Sequence, residues 1–356
     1  MSSEPWAFSA TTIIEKIRKK KLSALEVLES HLARIHATNP AINAIVTLSE
    51  DTARKEAITM DKRISKGEEV GPLAGVPIGI KDVTATAGIR TTYGSKMFAE
   101  HIPDKDDILV QRIKKAGAVI VGKTNTPEFA TGGNTYNELF GSTKNPWNPA
   151  LSAGGSTGGG GAGLIAGMFP LASGSDLGGS LRIPAAFCGV TGIRPTVGLV
   201  PAGPKSVPFD TLSVPGPMAR TAGDLAVLLK VISEPHIGEA HTSGKGYGCR
   251  EVSGERKLRL AYVLDCAGIG IDEDVAKVSR TGAEYLKRFG HQFEEIELDL
   301  SDGRKAFSVL RAQFMVNRYI GLLDRLDELG ENLSGNIRLG LGQKPSDIAE
   351  AEAIRT

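Results

Sequence analysis

The chain has 356 residues, of which 41% are hydrophobic and 23% charged, with a net charge of +1. This is the balance of a soluble globular protein, long enough for one large domain or two ordinary ones. A charge so near zero gives no argument, by bulk electrostatics, for a nucleic-acid or acidic partner.

The N-terminal segment Met1-Ser2-Ser3-Glu4-Pro5-Trp6 lacks a basic stretch followed by an apolar core, so no signal peptide is expected. The first elements are helical. Arg18-Lys19-Lys20-Lys21 reads as a solvated helix end. Ser23-Ala24-Leu25-Glu26 is a capping box, and Leu25, Leu28, Leu32 and Ile35 follow at helical spacing. Residues 50–67 predict another helix, ending near Gly67. Strands are predicted at Val76–Ile80 and Ala118–Val121, with a helix over Ile108–Ala116 between them. This alternation indicates an α/β sheet. Residues 132–182 hold fourteen glycines, together with Pro146, Pro149 and Pro170. The apolar runs Leu164–Met168 and Leu171–Ala172 embedded there argue against a linker; the segment reads as buried tight turns around a short helix. Helices are expected over 222–233 and 273–289, with a strand at Leu258–Leu264 between them. Residues 235–256, with five glycines, two histidines and mixed charge, form the expected exposed excursion. The apolar positions Phe307, Leu310, Phe314, Ile320 and Leu323 are at helical spacing. No apolar stretch is long and unbroken enough to span a bilayer. Cys188, Cys249 and Cys266 are odd in number and widely spaced, which suits a reducing, cytoplasmic setting better than a disulfide framework.

Several short motifs match by chance. Gly117-Ala118-Val119-Ile120-Val121-Gly122-Lys123-Thr124 fits the phosphate-loop pattern, but its interior reads as a buried strand, and no helix opens directly after Thr124. Gly158, Gly160 and Gly163 fit a dinucleotide fingerprint with no strand before them. Gly154-Gly155-Ser156-Thr157-Gly158 fits a nucleophile elbow, which requires a buried strand directly before the serine; Asn145–Ala150 is not one. None of the six histidines has a catalytic context, and no ligand spacing points to a metal.

What remains is Lys81, at the end of Gly75-Val76-Pro77-Ile78-Gly79-Ile80-Lys81-Asp82, with Ser156 and with Ser180 in Gly174-Ser175-Asp176-Leu177-Gly178-Gly179-Ser180-Leu181-Arg182-Ile183-Pro184. Taken alone, each has an ordinary structural use: Lys81 as a strand-end residue or the ion-pair partner of Asp82, Ser156 as a turn residue, Ser180 as a helix cap. Together, in glycine-rich settings where backbone can approach a substrate, they supply a nucleophile, a base and a row of amide donors, the parts of an acyl-transfer site. A serine hydroxyl needs a neighbour to remove its proton, and lysine can do so only when burial lowers its pKa from about 10.4.

These residues, over a span from about Leu22 to Ile232 that is strongest from Lys81 to Pro195, resemble the amidase signature family of serine hydrolases. Seventy-five residues separate Lys81 from Ser156 and twenty-four separate Ser156 from Ser180, and both separations suit that family. The flanks Phe187-Cys188-Gly189-Val190-Thr191-Gly192 and Gly216-Pro217-Met218-Ala219-Arg220-Thr221 are also similar to it. The resemblance implies an α/β/α sandwich with a mixed central sheet and an N-terminal helical layer. Within a single domain over 1–356, it implies a helical layer over 1–67, a catalytic core over 71–232 and an incomplete C-terminal part over 257–356, because members of the family continue beyond Thr356. It implies a Ser-Ser-Lys triad with Ser180 as acyl-accepting nucleophile, Ser156 as a bridging serine held through a cis peptide bond, and Lys81 as base. Backbone amides of Leu177, Gly178, Gly179 and Ser180 would form the oxyanion hole, with Asp176 and Arg182 as a pair fixing the loop. Ala130, Thr131 and Gly132 would line the acyl side, in a site more open than in members bulkier at position 130.

The implied activity is hydrolysis of a small-molecule amide, and by the same chemistry an ester, with no cofactor and no metal, in the cytoplasm, away from membrane and nucleic acid; a homodimer is the assembly the resemblance allows. Two alternatives stand beside it. One is an amidotransferase A-type subunit working with partner subunits on charged tRNA, although Pro208-Phe209-Asp210-Thr211-Leu212-Ser213-Val214-Pro215 is unlike the Ser-Leu-Asp-Gln-Ile run of that subgroup. The other is an inactive, truncated remnant that only binds.

Overall fold

The computed structural model describes residues 4–203, 206–241 and 257–356. It forms two compact units, Met1–Gly248 with Asp324–Ser334, and Cys249–Leu323 with Gly335–Thr356.

The first unit opens with helices α1 (Ala10–Arg18) and α2 (Ala24–Ile42). The capping box starts α2 as expected: Ser23 Oγ accepts from the Glu26 amide at 3.0 Å, and Glu26 Oε2 accepts from the Ser23 amide at 2.7 Å. Asn43, in the left-handed region, ends the helix. Strand β1 (Ile45–Leu48), helix α3 (Glu50–Ser65), strand β2 (Pro77–Lys81), helix α4 (Ile108–Lys115) and strand β3 (Val119–Thr124) follow. A small hairpin, β4 (Tyr136–Asn137) and β5 (Gly141–Ser142), precedes helix α5 (Gly158–Ile165) and strand β6 (Leu171–Asp176). Helix α6 (Arg182–Cys188), strands β7 (Thr191–Gly192) and β8 (Val214–Ala219) and helix α7 (Ala222–Ile232) complete the series.

The central sheet has six strands in the order β1-β3-β2-β6-β8-β7. The inner strands β3, β2 and β6 run parallel, while β1, β8 and β7 are joined antiparallel, so the sheet is mixed. A parallel strand between two neighbours is covered on both faces, which is why β2 reads as a continuous apolar run and is buried at every residue. Ile78 and Ile80 are fully buried, each worth about 1.5–3 kcal/mol of transfer free energy. In open α/β sheets, ligands bind beyond the carboxyl ends of the parallel strands. Here those ends carry Lys81 on β2 and Ser175 and Asp176 on β6.

Two elements depart from simple propensity. Glycine costs about 1 kcal/mol relative to alanine in a helix, yet α5 reads Gly-Gly-Gly-Gly-Ala-Gly-Leu-Ile. Close packing explains it: a Cβ on Gly159 would lie 2.4 Å from the Asn125 nitrogen and 2.5 Å from the Ala44 oxygen, so this helix meets its neighbours backbone to backbone. Within the stretch expected to be turns around a short helix, Leu171–Asp176 is instead a full sheet strand, paired with both β2 and β8. The predicted strand over Ala118–Val121 runs on through Gly122, Lys123 and Thr124, so the phosphate-loop pattern lies on a buried strand.

The second unit contains the parallel pair β9 (Arg259–Tyr262) and β10 (Gln292–Glu295) with helix α8 (Glu273–Tyr285). Helices α9 (Gly303–Arg318) and α11 (Pro345–Arg355) also belong to it. Helix α10 (Glu331–Leu341) begins in the first unit, to which residues up to Ser334 belong. Ile320 and Leu323 fall in a 3-10 segment, Ile320–Glu328, rather than in the α-helix their spacing predicts. Cys188 and Cys266 are free thiols. Most of the expected excursion over 235–256 and the third cysteine, Cys249, lie outside the described residues. Among the described residues no helix is long and apolar enough to cross a membrane, and no cluster of three or more His, Cys, Asp or Glu side chains is placed to hold a metal ion.

Candidate active site

Lys81 is fully buried, and its Nζ lies 2.7 Å from Ser156 Oγ and 3.1 Å from Ser175 Oγ. Burial lowers its pKa to about 7, against a smaller opposing pull from the Asp176 carboxylate. Among the described residues Lys81 forms no ion pair. The sequence left Asp82 open as its partner, and the structure corrects this. The Asp82 carboxylate accepts from the Thr92 amide at 3.1 and 3.2 Å and from Thr92 Oγ1 at 2.5 Å. The cation nearest in effect to Asp82 is Lys123, which eases the rise in its pKa that burial causes.

Ser156 sits in the loop before α5, with a cis peptide bond between Gly155 and Ser156. Room for that loop depends on glycine: a Cβ on Gly155 would come within 2.7 Å of the Asn134 backbone. Thr135 fastens the loop from the other side, its Oγ1 donating to the Gly154 oxygen at 2.9 Å and accepting from the Gly158 amide at 3.0 Å. The structure therefore packs the segment that follows Ala130, Thr131 and Gly132 directly against the Ser156 loop. Ala130, at φ +60°, ends a 3-10 turn over Glu128–Ala130, and Thr131 is buried.

Ser180 lies beside this loop, its carbonyl accepting from the Thr157 amide at 3.1 Å. Exposure rises from 0% at Lys81 through 1% at Ser156 to 9% at Ser180, so the series runs from the core toward the surface. The turn before Ser180 is organised by Asp176. Its carboxylate accepts from the Gly179 amide at 2.8 Å, the Leu181 amide at 3.2 Å, and Arg182 Nε and Nη2 at 3.0 and 3.1 Å. Burial alone would raise the pKa of Asp176, but the Arg182 guanidinium and the two amides outweigh it, and the net displacement is downward. The expected pairing of Asp176 with Arg182 is present. The Gly179 amide, expected among the oxyanion donors, is instead committed to Asp176. Asp176 takes up none of the amides of Leu177, Gly178 and Ser180.

Three participants escaped the sequence reading. Ser175, given no role from sequence, is the second neighbour of Lys81. Arg194 donates to the Asp176 carbonyl and lies 3.6 Å from its carboxylate, with nothing in its local sequence to mark it. Lys123, set aside with the phosphate-loop pattern, is fully buried; it donates to the Thr84 carbonyl and to Thr86 and Thr91 Oγ1 at 2.9 and 3.0 Å. Burial lowers its pKa to about 7 despite the opposing charge of Asp82.

The amidase family model matches residues 26–344. The chain belongs to the amidase signature family. The A-subunit of the glutamyl-tRNA(Gln) amidotransferase of Carboxydothermus hydrogenoformans is 42% identical over 303 residues, covering 83% of this chain and 61% of that protein. An acylamidase of Rhodococcus erythropolis is 38% identical over 294 residues, covering 81% of this chain and 61% of that protein. The structure of a bacterial aryl acylamidase of the amidase signature family superposes with a TM-score of 0.90 at 26% identity, covering 99% of this chain and 76% of that one. The chain thus spans about three fifths of the length of these two curated relatives.

Proposed function

We propose that the chain hydrolyses a small carboxylic amide to acid and amine through an acyl-enzyme on Ser180. The observation that carries this reading is the buried Lys81, held 2.7 Å from Ser156 Oγ with a pKa near 7. Neutral Lys81 accepts the Ser156 proton as Ser156 takes the proton of Ser180, and Ser180 Oγ attacks the carbonyl carbon. The negative charge that moves to the carbonyl oxygen is met by the amides of Leu177, Gly178 and Ser180; one such donor is typically worth about 3–4 kcal/mol. The proton returns through Ser156 to the leaving nitrogen, the C–N bond breaks and the amine departs. Water then attacks the acyl group by the same relay, releasing the acid and restoring Ser180. Ala130, Thr131 and Gly132 line the acyl side. The scheme uses no cofactor or metal, and the free thiols Cys188 and Cys266 suit a cytoplasmic setting.

Labelling with a fluorophosphonate tests it. Ser180→Ala should abolish labelling, while Ser156→Ala should slow it without moving the adduct. An adduct located by mass spectrometry on Ser156 would reverse the two roles.

One observation favours a second reading, an amidotransferase A-type subunit: the relative named as such is 42% identical. Against it stands the run Pro208–Pro215. Amide hydrolysis by the purified chain alone supports the amidase. Activity appearing only with partner subunits and charged tRNA supports the amidotransferase.

A further inference from the structure

The 3-10 turn Glu128–Ala130 holds two successive non-glycine residues in the left-handed region, Phe129 at φ +47° and Ala130 at φ +60°. Such residues cost about 1–3 kcal/mol each and persist only where their surroundings hold them. Part of what holds this turn is local: the Phe129 amide donates to the Tyr93 carbonyl at 2.7 Å, and the two rings stack at 5.8 Å between centroids. The rest comes from some two hundred residues away in sequence, within the same compact unit. Glu128 Oε2 accepts from the Gly330 amide at 2.7 Å, while its Oε1 accepts from Ser95 Oγ at 2.6 Å. Asn332 Nδ2 donates to the Thr131 carbonyl at 2.8 Å. The same nitrogen would lie 3.1 Å from a Cβ on Gly132. The segment is itself anchored, with Leu329, Leu333 and Ser334 buried. Immediately beyond the turn, Asn134 and Thr135 pack on the Ser156 loop.

We propose that Asn332 is a positioning residue of the acyl pocket: by holding the Thr131 carbonyl, it fixes the Phe129–Gly132 turn at the width that decides which acyl chains enter. The proposal rests on the amidase reading and extends it to specificity. Asn332 acts through the backbone of Thr131 rather than on the reacting atoms. Releasing it lets the turn relax, which admits longer acyl groups and holds short ones less well. Lys81, Ser156 and Ser180, on other elements, keep their geometry.

The test compares labelling rates by two fluorophosphonates, one with an ethyl and one with a dodecyl group, for the wild type, Asn332→Ala and Asn332→Asp. The aspartate is nearly isosteric and turns an acceptor toward the Thr131 carbonyl, so it loosens the turn without opening a cavity. Both variants should shift the dodecyl-to-ethyl rate ratio upward by about five-fold, which is what one ordinary hydrogen bond is worth. The pH midpoint of labelling should stay unchanged. An unchanged ratio in folded Asn332→Asp overturns the proposal, even if both rates fall together, because a uniform fall marks a general structural role. Absence of Ser180-dependent labelling in the wild type overturns the amidase reading itself, and is thereby told apart from a failure of Asn332 alone.

Discussion

Lys81 Nζ and Ser156 Oγ lie 2.7 Å apart although seventy-five residues separate them. The distance is set by two elements that meet at one end of the sheet, the last residue of β2 and the loop that opens α5. A lysine this deeply buried without a carboxylate partner is held close to neutrality, so its proton balance enters the stability of the fold and, on the proposed amidase reading, the reactivity of the site.

Activity should rise with pH as Lys81 loses its proton, with a midpoint near the displaced value of about 7. Lys81→Ala should retain the fold and lose nearly all activity. Lys81→Arg should fail as well, because a guanidinium does not deprotonate in a protein. The measurement is kcat/KM from about pH 5 to about pH 10; a profile flat across neutrality argues against a lysine base.

The same group should leave a stability signature. Between about pH 7 and the ordinary lysine value near 10.4, the unfolded chain holds a proton on residue 81 that the folded chain has released. Stability contributed by this site therefore rises with pH across that window, and below it the full cost of burial applies. Lys81→Met removes the cost. Its stability to urea should exceed that of the wild type at about pH 6, by an amount on the order of a few kcal/mol less the lost hydrogen bonds, and the gain should fade by about pH 10. A gain independent of pH would contradict a depressed lysine.

Asp176→Asn should loosen the turn before Ser180. Removing the charge leaves Arg182 and Arg194 facing an amide. Breaking a fully buried pair costs about 3–5 kcal/mol, and the 56% exposure of the Arg182 side chain lowers the expected loss to about 2 kcal/mol. Because the folded carboxylate sits below its ordinary pKa, the wild-type advantage is present at neutral pH and disappears as the pH falls through that lowered value. Denaturation followed from neutral pH downward should show a large difference at about pH 7 that shrinks progressively as the solution is made more acidic than the ordinary carboxylate range. Equal midpoints at neutral pH would show that the amides alone suffice.

Gly159→Ala tests the packing of α5. In an isolated helix the change favours helix by about 1 kcal/mol. Here the new methyl would lie 2.4 and 2.5 Å from backbone atoms of Asn125 and Ala44, which cannot swing aside as a side chain would. The variant should lose about 3 kcal/mol, the upper end of ordinary overpacking, read as a lower melting temperature. A melting temperature at or above that of the wild type would mean that α5 stands further from β1 and β3 than these distances require.

Much of the scaffold was legible because its signals are local. The capping box at Ser23, the helical spacing through Ile35 and the apolar run ending at Lys81 each report the conformation of a few adjacent residues. Strand β6 was missed because Leu-Ala-Ser-Gly-Ser-Asp has neither clear alternation nor β-branched residues; it is a strand because β2 and β8 hydrogen-bond to both its edges. Motif spacing placed Lys81, Ser156 and Ser180 in one family pattern, and the structure brings Lys81 to Ser156 and sets Ser180 alongside.

Residue order alone determined which side chains with acyl-transfer chemistry lie in glycine-rich surroundings, since glycine permits close backbone approach wherever the chain later folds. Tertiary structure alone decided their partners. Asp82 lies next to Lys81 in the chain yet bonds to Thr92, because successive residues at a strand end point to opposite sides. The Gly179 amide belongs to Asp176, and Asn332 reaches Thr131 across two hundred residues. Such contacts depend on how separate elements pack, and a hydrogen bond between distant segments leaves no periodicity in either.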